Sequence, residues 1–342
     1  MKLASVRDLK AELKDPPRMP AIFASALAVR AGPRALTARL DSVHTRTAEA
    51  NEVALGVAPG RGRNDFRLGV RIQVAGARAH KLANDFEKKV GKEADIRIVP
   101  RVRKRVPGPA WFQGLHRPLE AGLSVGHYEV TAGTIGFIVE DDEAYYVLSN
   151  NHVLADVNNG KPGDPVLQPG KIDRKPSDET LIGVLDRFVP ISFRRSNVVD
   201  CAVAELLHDI QFYEGWTEAL PGLVRGVEPV TKDDLQRTVF KAGRTTGVTE
   251  GTITQIEVDR LRVDMGDSDR PKLALFSDQF EIQGKDGKLF SDGGDSGSLI
   301  VNEDRRAMGL LFAGGPDESG IDVTFANRIE LVLKKLGVTL AT

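Results

Sequence analysis

The chain has 342 residues, 47 basic and 48 acidic side chains and a formal net charge of −1, so no global field draws it to nucleic acid or to a membrane surface. Its single cysteine, Cys201, excludes an intramolecular disulfide and hence a secreted, disulfide-stapled form; a cytoplasmic location is expected. Aromatic residues make up 6% against 34 Gly and 18 Pro, a composition that suits a β-rich chain with many turns.

Ser5 precedes a periodic stretch, residues 6–14, as a candidate helix cap, and Pro16-Pro17 ends that stretch. A second helix is expected over residues 21–40, broken near Gly32-Pro33. The apolar run within it, residues 19–29, is too short to span a bilayer. Asp8, Glu12 and Asp15 ahead of it do not suit a signal peptide. The periodicity then changes. Residues 53–57 read as a strand and residues 59–65 as a turn. Leu68, Val70, Ile72 and Val74 mark one face of a strand over 67–74, followed by a helix over 79–90 and a strand over 95–102. These make a small α+β unit. No helix follows Gly60 and Gly62, so they read as a hairpin turn rather than a phosphate loop. Arg101, Arg103, Lys104 and Arg105 lack interleaved aromatics and read as a solvated strand end. Pro107-Gly108-Pro109 marks a boundary between an N-terminal domain, 1–107, and a second domain, 108–342.

The second domain reads as β. Strands are expected at 131–139, 144–149, 165–168, 181–188, 198–206, 237–242, 252–258, 261–263, 273–282, 299–301 and 308–313, with an amphipathic helix over 327–336. So many short strands with turn-rich links imply a closed or paired β architecture.

The chemistry centres on Asp292-Gly293-Gly294-Asp295-Ser296-Gly297-Ser298, a tight bend that leads into the apolar run Leu299-Ile300-Val301. Small residues around Ser296 let the N–H groups of Gly294 and Ser296 point outward together, as two donors for a developing oxyanion. Serine needs a base to take its proton, and the base needs a third group to hold its tautomer. His152 stands at a strand-to-turn junction. Asp200 stands in an otherwise apolar run, where an unpaired carboxylate is expensive to bury and a partner is implied. Cys201 reads as a packed structural thiol. An α/β-hydrolase esterase is excluded, because position 298 is serine and no histidine follows Ser296.

The order His152, Asp200, Ser296 resembles the trypsin-like (chymotrypsin-fold) serine proteases. Tyr146-Val147-Leu148-Ser149-Asn150-Asn151-His152, Val199-Asp200-Cys201-Ala202 and Gly294-Asp295-Ser296-Gly297-Ser298 are similar to that family's histidine, aspartate and nucleophile motifs. A closer resemblance, to bacterial relatives of the plant Narrow-leaf-type serine proteases, rests on five further segments. These are Arg117-Pro118-Leu119, Ser124-Val125-Gly126-His127, Ala132-Gly133-Thr134-Ile135-Gly136, Val166-Leu167-Gln168-Pro169-Gly170 and Lys241-Ala242-Gly243-Arg244-Thr245-Thr246-Gly247.

The resemblance implies a mainly β fold, two six-stranded barrels with the active site between them, preceded by the small α+β unit and closed by the C-terminal helix. It implies a serine endopeptidase acting on protein or peptide substrates, with no metal and no cofactor. His152 would be the base, Asp200 its orienting partner and Ser296 the nucleophile, with Gly294 and Ser296 as the oxyanion hole. The specificity pocket would take its base from Phe290 or Ser291 and its wall from Phe312, Ala313 and Gly314. Asp292 stands close enough to attract a basic side chain. In trypsin a new N-terminus pairs with the aspartate before the serine, here Asp295. No cleavable Ile-Val-Gly-Gly start is present, so this chain must order the loop differently. Narrow specificity or activation by a protein partner is expected, with residues 1–107 gating, recruiting or self-associating. The alternative is a silent protease-like module that only docks a partner.

Overall fold

The computed structural model describes residues 1–14, 52–60, 62, 64–74, 77–99, 111–213, 222–266 and 270–341. The expected helix over 21–40, the basic run at 101–105 and the boundary at Pro107–Pro109 lie outside them. Among the described residues no helix is long and apolar enough to cross a membrane.

The architecture is mainly β: one closed six-stranded barrel, one curled sheet and a C-terminal helix. The curled sheet is built from β4 (Ser124–His127), β5 (Gly133–Thr134), β6 (Phe137–Glu140), β7 (Tyr145–Ser149), β8 (Pro165–Leu167), β9 (Leu181–Phe188) and β10 (Ala202–Leu206). Its order is β6-β7-β10-β9-β8-β4-β5, so its ends, β5 and β6, are consecutive in the chain. Only Ile135-Gly136 separates them, and Ile135 N–H bonds Leu123 O while Gly136 N–H bonds Leu148 O. The sheet thereby curls into the first barrel.

The closed barrel uses β11 (Thr238–Gly243), β12 (Gly247–Asp259), β15 (Gln279–Gly284), β16 (Leu299–Asn302), β17 (Ala307–Pro316) and β18 (Asp322–Arg328). The ring runs β11-β16-β17-β18-β15-β12, and β12 pairs back to β11. A hairpin of β13 (Leu261–Asp264) and β14 (Leu273–Phe276) projects from it. The helix Ile329–Leu336 buries Ile329, Val332, Leu333 and Leu336 on the first barrel's core, and Gly337 ends it in the left-handed region at φ 70°. The chain then adds β19 (Thr339–Leu340) to β6, so the C-terminus of the second barrel seals the first.

Several expected boundaries move, each for a local reason. The single strand expected over 273–282 is two, because Asp278 adopts φ 60° between β14 and β15. The helix expected from residue 327 begins at Ile329. Asn327 and Arg328 belong to β18, a strand buried on both faces and therefore without alternation. The strand expected from residue 198 begins at Ala202. Asp200 is excluded from the ladder because its N–H is taken by Asn327 Oδ1 and its carbonyl by Asn150 Nδ2. Ser5 lies inside the helix Leu3–Lys14 rather than capping it.

The N-terminal unit has the expected elements: β1 (Val53–Pro59), β2 (Phe66–Ile72), the helix Ala77–Val90 and β3 (Ala94–Ile98). β1 pairs antiparallel with β12, so β1, β2 and β3 extend the second barrel's sheet. Val6, Leu9, Leu68 and Val70 join Ile253, Phe280 and Ile282 in one core cluster. Across this seam Arg71 makes a bidentate contact with Glu281, 2.7 Å on each arm, with both side chains fully buried. Asp95 approaches the same guanidinium at 2.9 Å, and Thr254 Oγ1 donates to Glu281 at 2.7 Å.

Removing one partner of such a pair strands a buried charge. Arg71→Met is therefore expected to cost about 3–5 kcal/mol, read as a shift in denaturant midpoint. Arg71→Met with Glu281→Leu is expected to recover most of it. If the double variant is no more stable than the single one, the stranded charge is not the cause.

Candidate active site

β7 and β10 are antiparallel neighbours, with Ser149 opposite Ala202. This register brings the residues just after β7 to those just before β10. His152 sits in the short helix Asn151–Leu154 that follows β7, and its Nδ1–H donates to Asp200 Oδ2 at 2.5 Å. An ionised carboxylate only accepts, which puts the proton on Nδ1 and leaves Nε2 as the ring's acceptor. The His152 backbone N–H donates to Asp200 Oδ1 at 3.3 Å, so both carboxylate oxygens face one residue. Asp200 is fully buried and His152 nearly so.

Ser296 lies between β15 and β16, on the other barrel. The seam is close: a Cβ added to Gly133 of β5 would lie 2.4 Å from Val153 Cγ2 and 3.0 Å from the Ser296 carbonyl. Thr134 N–H bonds that carbonyl at 2.8 Å. His152 Nε2 is buried with no hydrogen-bond partner among the described residues, and Ser296 Oγ makes none either. The His152 acceptor and the Ser296 hydroxyl come from the two sides of this seam and are not hydrogen-bonded to each other; catalytic hydrogen bonds are often long in unliganded sites.

The nucleophile loop has one regularity. Of the N–H groups from Asp292 to Ser298, five are bonded: Asp292 to Asp295 Oδ2, Gly293 to Asp292 Oδ1, Asp295 to Asp292 O, Gly297 to Leu311 O and Ser298 to Asp295 O. Gly294 and Ser296 make no such bond among the described residues. They are the two expected oxyanion donors. Gly294 and Gly297 hold φ values of 96° and 98°, a region open to glycine and costly for other residues.

Asp295 anchors this loop. Its Oδ1 accepts from Thr245 N–H at 2.7 Å and Thr246 N–H at 3.1 Å, and its Oδ2 accepts from Thr246 Oγ1 at 2.6 Å. The cation is Lys241, whose Nζ lies 3.3 Å from Asp295 Oδ2 and also donates to Thr246 Oγ1 and the Gly247 carbonyl. Lys241 and Asp295 are both fully buried. An internal lysine therefore neutralises Asp295. Sequence reading missed it, although Lys241 is the one charge in the apolar run Val239-Phe240-Lys241-Ala242, the same signal that singled out Asp200. Arg244, Thr245 and Thr246 stand out in the sequence only as parts of a motif.

The pocket residues divide. The Phe290 side chain is fully buried in the second barrel's core beside Gly251 and Ile282, so it does not form a pocket base. Ser291 Oγ and Thr324 Oγ1 are 2.6 Å apart, and Ser291 Oγ lies 3.5 Å from where a Cβ on Gly314 would be. Asp292 Oδ1 accepts from Gly293 N–H within its own turn. Phe312 packs on Phe276 of β14 with ring centroids 4.7 Å apart, and Ala313 is buried next to it. Burial, then the Asp200 charge, pushes the Cys201 thiol well above its usual range, which leaves it without a nucleophile's thiolate.

No family model matches the chain, and no curated protein matches it. Among solved structures it is similar to Thermobifida fusca protease A, at 18% identity and a TM-score of 0.46 over 65% of this chain and 98% of that one. It is similar to Nocardiopsis protease (NAPase) at 16% identity and a TM-score of 0.47, over 65% and 98% of the two chains. It is similar to Cellulomonas bogoriensis chymotrypsin at 16% identity and a TM-score of 0.44, over 65% and 97%.

Proposed function

We propose that this chain is a serine endopeptidase that cleaves protein substrates through an acyl-enzyme. His152 takes the Ser296 proton as Oγ attacks the peptide carbonyl, then protonates the leaving amine. Asp200 holds the tautomer that makes this possible, and the N–H groups of Gly294 and Ser296 receive the oxyanion. The observation that carries the reading is the pair of unbonded N–H groups in a loop whose other N–H groups are all bonded, on the barrel opposite the one that holds the His152–Asp200 contact. The finer likeness to Narrow-leaf-type proteases rests on the sequence motifs. Lys241 supports a loop ordered without cleavage.

Labelling with a fluorophosphonate probe tests the reading. Wild-type protein is expected to react and Ser296→Ala to stay blank. An unlabelled wild type beside a reactive control protease would return the chain to the docking-module alternative. Labelling that appears only with an added partner would make it a protease gated by that partner.

A further inference from the structure

The two oxyanion donors belong to peptide units whose carbonyls are held by side chains. Gly294 N–H shares a planar peptide with the Gly293 carbonyl, and Ser296 N–H shares one with the Asp295 carbonyl. Neither bond is cis, so each N–H points opposite to its own carbonyl. Holding the carbonyl aims the donor.

Thr245 Oγ1 donates to the Gly293 carbonyl. Ser298 Oγ donates to the Asp295 carbonyl at 2.7 Å, where Ser298 N–H joins it at 3.0 Å. Both hydroxyls are buried, Thr245 at 1% and Ser298 at 0% exposure, so water does not compete for the carbonyls. Thr134 Oγ1 adds a third restraint, donating to the Gly294 carbonyl at 2.7 Å. Two consecutive peptide units are thus pinned on either side of Gly294.

The Thr245 hydroxyl is itself held. It has one proton, spent on Gly293, and it accepts from Arg244 Nη1 at 3.2 Å, which fixes the rotor's sense. Arg244 reaches across to the first barrel, where its Nε donates to Asp173 Oδ2 at 2.6 Å and its Nη2 donates to Asp173 Oδ1. Ser124 Oγ of β4 also donates to Asp173 Oδ2, at 2.6 Å. The guanidinium is 3% exposed and its partner carboxylate 6%. The run Asp173, Arg244, Thr245, Gly293 carbonyl, Gly294 N–H therefore crosses from one barrel to the oxyanion donor on the other.

We propose that Thr245 and Ser298 are positioning residues that aim Gly294 N–H and Ser296 N–H, and that the Asp173–Arg244 pair sets the Thr245 hydroxyl from the first barrel. The proposal rests on the protease reading above. Thr245→Val keeps the shape and removes the donor. It is expected to lower kcat by about 10- to 100-fold, less than the 10²–10³ of a donor lost outright, with KM nearly unchanged. Thr245→Ser is expected to restore kcat, and Ser298→Ala to behave like Thr245→Val.

The decisive readout is affinity for a peptide aldehyde, whose hemiacetal oxygen occupies the oxyanion site. Its loss is expected to parallel the loss of kcat/KM across the variants, which a merely structural defect would not produce. Unchanged kcat and unchanged aldehyde affinity in both Thr245→Val and Ser298→Ala overturn the aiming role. Should wild-type protein fail to turn over any peptide, the protease reading falls. The aiming role is then decided by crystal structures of the same variants: a rotated Gly293–Gly294 or Asp295–Ser296 peptide upholds it, and unmoved peptides overturn it.

Discussion

Asp200→Asn is expected to lower kcat by about 10⁴, the cost seen when a triad aspartate becomes its amide, while the protein stays folded. The geometry explains why so small a change does so much. One carboxylate oxygen receives the His152 backbone N–H and the other the ring Nδ1–H. Asparagine can keep the first bond only with its carbonyl oxygen, which turns its NH₂ toward Nδ1. Two donors then face each other, and the ring answers by moving its proton to Nε2, the atom that has to accept from Ser296. The amide fills the same buried volume, and the bonds to the Asp200 backbone from Asn327 and Asn150 are untouched. Peptide hydrolysis and thermal unfolding measured on one preparation check the claim. A fall in kcat of less than tenfold would remove Asp200 from the role proposed for it.

Lys241→Met is expected to cost stability and rate together. It leaves Asp295 buried without its cation, a loss of about 3–5 kcal/mol read from the denaturant midpoint. The carboxylate keeps its bonds from Thr245 and Thr246 but lies unneutralised within the loop that carries Gly294 and Ser296, so that loop is expected to shift and kcat to fall by about the 10²–10³ of one missing donor. Lys241→Met with Asp295→Asn separates the two effects: the amide oxygen keeps an acceptor for the Thr245 and Thr246 N–H groups while the stranded charge is removed, so much of the stability returns and activity does not. Activity recovered along with stability would show that Lys241 serves only the fold.

The same pair gives a dependence on pH with two opposite signs. Burial is the largest influence on Lys241 and draws its pKa below the usual lysine value, with Asp295 drawing it back up. Between that lowered value and the unfolded one the folded chain binds fewer protons, so this group's contribution to stability rises with pH across the window. Over the same window the ammonium is lost, Asp295 loses its counter-charge, and kcat declines. Lys241→Arg, which stays protonated there, is expected to lose that alkaline limb in the profile of kcat against pH.

The residues proposed for catalysis are legible in the sequence because each sits in a short, self-contained signal. Ser296 is announced by small neighbours, Asp200 by its apolar run and His152 by its strand end. The residues that hold them are not. Asn327, which takes the Asp200 N–H, lies in a strand buried on both faces, where alternation is lost and residue 327 read as the start of a helix. Thr134 and Thr245 act through hydroxyls on carbonyls far away in sequence, a relation that leaves no local pattern. Phe290 was placed in the pocket by its spacing from Ser296, and spacing alone does not tell which way a ring turns. The N-terminal unit shows the same divide. Its elements follow from local periodicity, whereas its pairing with β12 depends on an edge that the second barrel supplies.

That pairing bears on how the protein is made. Leu55 of β1 lies opposite Asp259 of β12, about two hundred residues later in the chain. At ordinary rates of translation, β1 leaves the ribosome on the order of 10–40 s before its partner strand does. Until then the β1–β2 hairpin carries a free backbone edge, and Arg71 waits for Glu281. A nascent chain in that interval offers an unpaired strand to any neighbour on the same polysome, so slow synthesis between residues 72 and 259 lengthens its exposure to mispairing.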